Sequence, residues 1–142
     1  MTEREKIKQT VVKFFYHLDR FDWKSLINEV FYSEVEMDLS SLGGKKEKMS
    51  STKVCEMWEE QLKELEAIHH LSGNYLINLT SDNRAKVLAH SITTQFKEDT
   101  VEGKTRQYYG TYDLEMQKSE DGWRIKSFKY ILNFINGNIE ME

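Results

Sequence analysis

TRQYYGTYDLEMQKSEDGWRIKSFKYILNF, residues 105–134, is the stretch whose reading decides the fold. In its first run, Thr105–Lys118, the residues Tyr108, Gly110, Tyr112, Leu114 and Met116 fall on one face at a period of two. That is the period of a half-buried strand. Ser119-Glu120-Asp121-Gly122 then interrupts it with turn formers. In the second run, Trp123–Phe134, the apolar phase changes: Trp123 and Ile125 share one parity, and Phe128, Tyr130, Leu132 and Phe134 share the other. The change predicts a bulge near Ser127, and a bulge bends a strand. A break this short predicts an antiparallel hairpin rather than a helical crossover.

The pattern extends upstream. His69–Thr80 and Arg84–Lys97 read as two more strands, with breaks at Ser81-Asp82-Asn83 and Glu98–Lys104. Before them the period is helical. Ile7, Val11, Phe14, Phe15 and Leu18 recur at helix spacing, and Thr2 with Glu5 forms a capping box. Asp22 caps a short second helix carrying Trp23, Leu26, Ile27, Val30 and Phe31. Val35, Met37 and Leu39 alternate as a short strand, and Gly43-Gly44 with the lysines after them reads as a loop. Ser51 or Thr52 opens a third helix that turns Val54, Met57, Trp58, Leu62 and Leu65 to the core. The expected class is α+β, with three helices packed against a long, bent antiparallel sheet. Such a sheet curls around the helices and leaves a cavity at its open end. Apolar residues on its outer face point to a homodimer through the sheet.

Composition bounds the rest. A chain of 142 residues is the size of one domain, and its 39% hydrophobic share suffices for a core. A net charge of −4 favours neither a nucleic-acid backbone nor an anionic membrane. Cys55 is alone and forms no internal disulfide, which fits a reducing compartment. Neither a signal-length apolar run nor a segment of membrane-spanning length occurs, so the expected location is cytoplasmic.

Few residues suggest chemistry. Asp19 falls at the end of the first helix, where unpaired carbonyls disfavour a carboxylate by roughly 0.3–1 kcal/mol. Asp22 has a structural task as a cap. His69 and His70 are adjacent on a strand and point to opposite faces, so one of them at most faces the cavity and the pair cannot chelate one metal. His90 lies among Leu88 and Ile92 and reads as a core or pocket histidine, whereas His17 reads as surface. Thr111 and Asp113 share the face opposite Tyr112. Neither metal-ligand spacing, nor a phosphate-binding loop, nor a nucleophile elbow is present, and no metal or cofactor is expected.

Four motifs occur in order: Leu18-Asp19-Arg20-Phe21-Asp22-Trp23, Ile68-His69-His70-Leu71-Ser72-Gly73-Asn74, Gly110-Thr111-Tyr112-Asp113-Leu114 and Asp121-Gly122-Trp123-Arg124-Ile125. Together they resemble a SnoaL-like domain of the nuclear transport factor 2-like superfamily, in the branch of scytalone dehydratase and the bile-acid dehydratase. The resemblance covers nearly the whole chain. It implies one domain over residues 1–142, with about 135–142 as a tail, in a cone-shaped barrel of the nuclear transport factor 2-like or cystatin-like kind. It also implies a deep pocket and a dimer.

In the dehydratases of that branch an aspartate ending the first helix pairs with a histidine on the first long strand. Those positions are Asp19 and His70 here, which makes them the candidate catalytic pair: His70 as general base or acid, oriented by Asp19. Phe14, Tyr16, Trp58, His90, Thr111 and Asp113 are the candidate substrate-binding residues. The departures from the pattern are specific. Leu18 and Phe14 stand where the two enzymes have tyrosines, and the second catalytic histidine of scytalone dehydratase falls near Gln95 or Phe96. The implied function is a cofactor-independent lyase or isomerase acting on a small, largely apolar, oxygenated molecule. The alternatives are a non-catalytic ligand-binding domain and a dimeric interaction module. An Asp19–His70 hydrogen bond at an open cavity favours catalysis, and a cavity closed by bulky side chains favours the interaction module.

Overall fold

The computed structural model describes residues 1–142. Helix α1 spans Glu3–Asp19, and the expected capping box is present at Thr2 and Glu5. Its apolar stripe, including Ile7, Val11, Phe14 and Leu18, is buried. The second helix is split: α2 covers only Trp23–Ser25, capped by Asp22, and a π-helical turn, Leu26–Val30, follows it. Strand β1 is Phe31–Asp38, β2 is Lys46–Ser50, and α3 is Ser51–Leu62, capped by Ser50. The four long strands are β3 (Ala67–Leu79), β4 (Arg84–Phe96), β5 (Thr105–Ser119) and β6 (Gly122–Gly137).

All six strands form one sheet in the order β2-β1-β6-β5-β4-β3. It curves around the helices but does not close, because β2 and β3 remain its two edges. Three features differ from the sequence reading. The sheet is mixed: β1 runs parallel to β6, since the helical connection between β2 and β3 leaves β1 to close the flank of β6. Of the lysines after Gly44, Lys46 and Lys48 lie in an edge strand rather than a loop. Lys46 and Lys48 face water there while Met49 packs on the core, and charge of this kind protects a sheet edge from pairing with another chain. Residues 135–137 are not tail but the end of β6, and Met141 beyond them is buried.

The expected bend is present. The pairing of β5 with β6 slips between Glu115 and Met116, opposite Lys126, and again between Tyr109 and Gly110, opposite Asn133. Phe14 of α1 lies at the centre of the core, with Phe31, Trp58, Tyr112 and Phe128 all within 6 Å of its ring. Gly110 has a packing reason to be glycine: a Cβ there would overlap the ring of Tyr130. No helix is long and apolar enough to cross a membrane.

Candidate active site

Asp19 ends α1, and the chain then turns sharply. The Asp22 amide donates to the His17 carbonyl at 2.9 Å and the Phe21 amide to the Leu18 carbonyl at 3.0 Å. These two bonds make a Schellman turn, in which Phe21 takes the left-handed conformation (φ 54°) that glycine usually fills. Two helix-end carbonyls, those of His17 and Leu18, are thus satisfied by the turn, and the Asp19 side chain reaches β3. Its carboxylate accepts the backbone N–H of His70 at 3.1 Å and stands 2.6 Å from His70 Nδ1.

An ionised carboxylate only accepts hydrogen bonds, so His70 Nδ1 carries the proton. In the neutral ring the lone pair is then on Nε2, to which no protein group hydrogen-bonds. The ring is held by Asp19 on one edge and by Phe15, 5.3 Å between centroids. The two neighbouring histidines separate as strand alternation requires. The His70 side chain is 3% exposed, and that of His69 is 78% exposed.

His70 borders a cavity of about 270 Å³ between α1, α3 and the concave face of the sheet. Eleven of its sixteen lining residues are hydrophobic, so its wall is mostly apolar. No Asp or Glu lines it; Asp19 is set back from the wall and contacts the lining residue His70. Tyr112 and Tyr130 supply phenols. Burial first, and the neighbouring Tyr130 next, push the Tyr112 phenol far above its ordinary range. Burial, with Tyr108 secondary, raises Tyr130 to about 12. Both keep their protons at neutral pH and are available as hydrogen-bond donors rather than as bases. The Tyr130 hydroxyl is buried without a partner.

Of the expected binding residues, Phe14 and Trp58 line this cavity. Four do not. Tyr16 is 59% exposed on the outer side of α1, with the Arg20 guanidinium over its ring, because it lies off the buried stripe. His90, Thr111 and Asp113 stand on the convex face of the sheet. His90 pairs across the strands with Thr111, and the parity that buries Ala89 and Tyr112 turns all three outward. The His90 ring hydrogen-bonds to Asn74, at 3.3 Å. His17, read as surface, has a side chain only 14% exposed, near Asp22 and Glu29. The cavity is also lined by Thr93 and Arg106, which the sequence reading did not name, and by Gln95 and Tyr108, which it named but did not assign to binding. Their signal was parity: Arg106 is in phase with Tyr108 and Tyr112, and Thr93 pairs directly with His70. No three His, Cys, Asp or Glu side chains converge on a possible metal position.

The model of the SnoaL-like domain matches residues 1–129. The chain belongs to the SnoaL-like domain family. Among curated proteins, none matches it. Solved structures share the fold of this SnoaL-like domain closely at low identity. The Kfla4162 protein from Kribbella flavida superimposes with a TM-score of 0.89 at 19% identity, covering 98% of this chain and 95% of the other. A candidate scytalone dehydratase from Novosphingobium aromaticivorans gives 0.83 at 16% identity, over 94% of this chain and 86% of the other. The hexachlorocyclohexane dehydrochlorinase LinA-type3 from Novosphingobium barchaimii gives 0.75 at 13% identity, over 94% and 88%.

Proposed function

We propose that this SnoaL-like domain is a cofactor-independent lyase of the dehydratase kind, or an isomerase, in which His70 moves a proton and Asp19 orients it. The observation that carries this reading is the 2.6 Å contact between Asp19 and His70 Nδ1 at the wall of an open, mostly apolar cavity. Proton abstraction next to a carbonyl would proceed as follows. His70 Nε2 takes the proton, and the C–H electron pair moves into the carbonyl to form an enolate. In elimination the enolate pair re-forms the carbonyl and expels a β-hydroxyl, which leaves as water with the proton from His70. In isomerisation the proton returns to a different carbon. Asp19 stabilises the transient imidazolium, and the neutral phenols of Tyr112 and Tyr130 are donors available to a developing oxyanion. The relatives described as dehydratase and dehydrochlorinase are eliminating enzymes by name, which agrees with this chemistry.

The substrate is a small, largely apolar, oxygenated molecule. A homodimer belongs to the same proposal, since Leu71, Leu76, Leu88, Ile92, Ile131 and Phe134 are exposed on the convex face of the sheet. The test is a screen of cyclic β-hydroxy ketones and β,γ-enones, read by the ultraviolet absorbance of the conjugated product. Replacing His70 by Ala is expected to lower kcat by about 10²–10⁴-fold with an unchanged circular dichroism spectrum. Undiminished turnover in that variant would remove His70 from the chemistry and leave a binding pocket.

A further inference from the structure

The polar end of the cavity carries an unneutralised cation. Arg106 opens β5 and lines the cavity with Gln95, Tyr108 and Thr93. Its guanidinium uses two donors on neutral partners: Nε–H donates to Gln95 Oε1 at 2.7 Å, and Nη1 donates to the Ile139 carbonyl at 2.7 Å. The Tyr108 ring lies 5.5 Å from its central carbon. No carboxylate comes within ion-pair distance of Arg106, in contrast to Lys13, Lys63, Lys86 and Lys118, each of which has one. The second Nη1 proton and both Nη2 protons are left without a protein acceptor.

We propose that Arg106 binds a carboxylate of the ligand. The remaining donors form the planar fork that matches a carboxylate in two parallel hydrogen bonds. The cavity lining contains no acid and the groups beside the cation are neutral, so no protein carboxylate pairs with it. Gln95 is the positioning residue. Its side chain is buried with the residue 8% exposed, and its oxygen fixes Nε, which sets the plane of the fork. A histidine at that position could become cationic itself and would repel Arg106, whereas a glutamine amide adds no charge. The ligand class is therefore an apolar ring or chain bearing a carboxylate at one end, its apolar body in the rest of the cavity. The inference rests on the cavity being the small-molecule site, but not on proton transfer at His70.

The test uses 2-naphthoate and its neutral counterpart, 2-naphthamide, titrated into the full-length protein and followed by the nitrogen-15 NMR signals of the Arg106 side chain and by calorimetry. The carboxylate is expected to bind roughly tenfold or more tightly than the amide, a difference of about 1.4 kcal/mol, and to shift the Arg106 Nε–H signal. Arg106→Gln should remove that preference, and Arg106→Lys should keep part of it, since the charge remains and the fork is lost. Gln95→Met should weaken naphthoate binding while changing naphthamide binding little. Equal binding of the two probes to the wild type, a preference that survives Arg106→Gln, or naphthoate binding weaker than about 10 mM would each overturn the proposal. His70→Ala separates the two readings. Its loss of turnover with the carboxylate preference intact supports both, and undiminished turnover with the preference intact removes only the proton-transfer role.

Discussion

At the scale of single residues, Asp19 holds His70 by two contacts of different kinds, one to the backbone amide and one to Nδ1. The first fixes the strand against the helix end, and the second fixes the tautomer. The two can be separated with Asp19→Asn. The amide oxygen can still accept the His70 backbone N–H, while its NH₂ group can turn to Nδ1 and stabilise the tautomer protonated on Nε2. That tautomer has no lone pair on the nitrogen the proposed reaction uses. The expected result is a loss of at least about 10² in kcat with a small change in stability. Nitrogen-15 NMR of His70 should show the proton moved from Nδ1 to Nε2. An unchanged tautomer with full activity would show that the aspartate does no more than tie α1 to β3.

At the scale of elements, α1 is the arm that carries Asp19, and its other end is also fixed to the sheet. Glu3 accepts from Lys118 Nζ at 2.6 Å and from Trp123 Nε1 at 2.8 Å, at the β5–β6 turn. The Lys118 hydrogen bond first, and that from Trp123 second, hold the Glu3 carboxyl below its ordinary value of 4.5. A carboxyl lowered by folding binds its proton more readily in the unfolded chain. Its contribution is therefore complete above pH 4.5 and is lost as the pH falls through the folded value. Urea unfolding across the acid range should show a shallower fall in stability for Glu3→Gln than for the wild type. Equal slopes would mean that the contact is screened by solvent and contributes nothing measurable. The elements also show where local pattern was sufficient. The β5–β6 hairpin and the bulge near Ser127 follow from parity and turn chemistry. Strand β2 could not be read because Lys46–Ser50 offers a single apolar side chain, Met49, and is a strand only because β1 lies beside it.

At the scale of the whole molecule, the sheet has two faces with different fates. The concave face packs on the helices around Phe14 and Trp58. The convex face leaves Leu71, Leu76 and Phe134 more than half exposed. Phe134 stacks on Tyr109 at 4.2 Å between ring centroids, which makes a flat aromatic surface there. A second copy on that face would bury it. Sedimentation of the wild type should give a dimer at micromolar concentration, and Ile92→Lys with Phe134→Lys should give a folded monomer. A wild type that sediments as a monomer would leave this face without a partner of its own kind.

The sequence by itself determined the α+β class, the capped first helix and the four long strands. Each of these depends on residues a few positions apart, through helical spacing, strand parity and turn formers. The resemblance carried by four motifs in order, rather than the residues alone, implied the pairing of Asp19 with His70. Only the tertiary structure decided which residues the cavity contains. His90, Thr111 and Asp113 are polar residues of the right strands, but facing depends on the register of β4 against β5, and that register turns them outward. Arg106 and Gln95 lie eleven positions apart in the chain and meet because those strands pair. The parallel contact of β1 with β6 joins residues about ninety positions apart. No local pattern encodes such contacts, because they form only when the sheet curls and the helices cover its concave face.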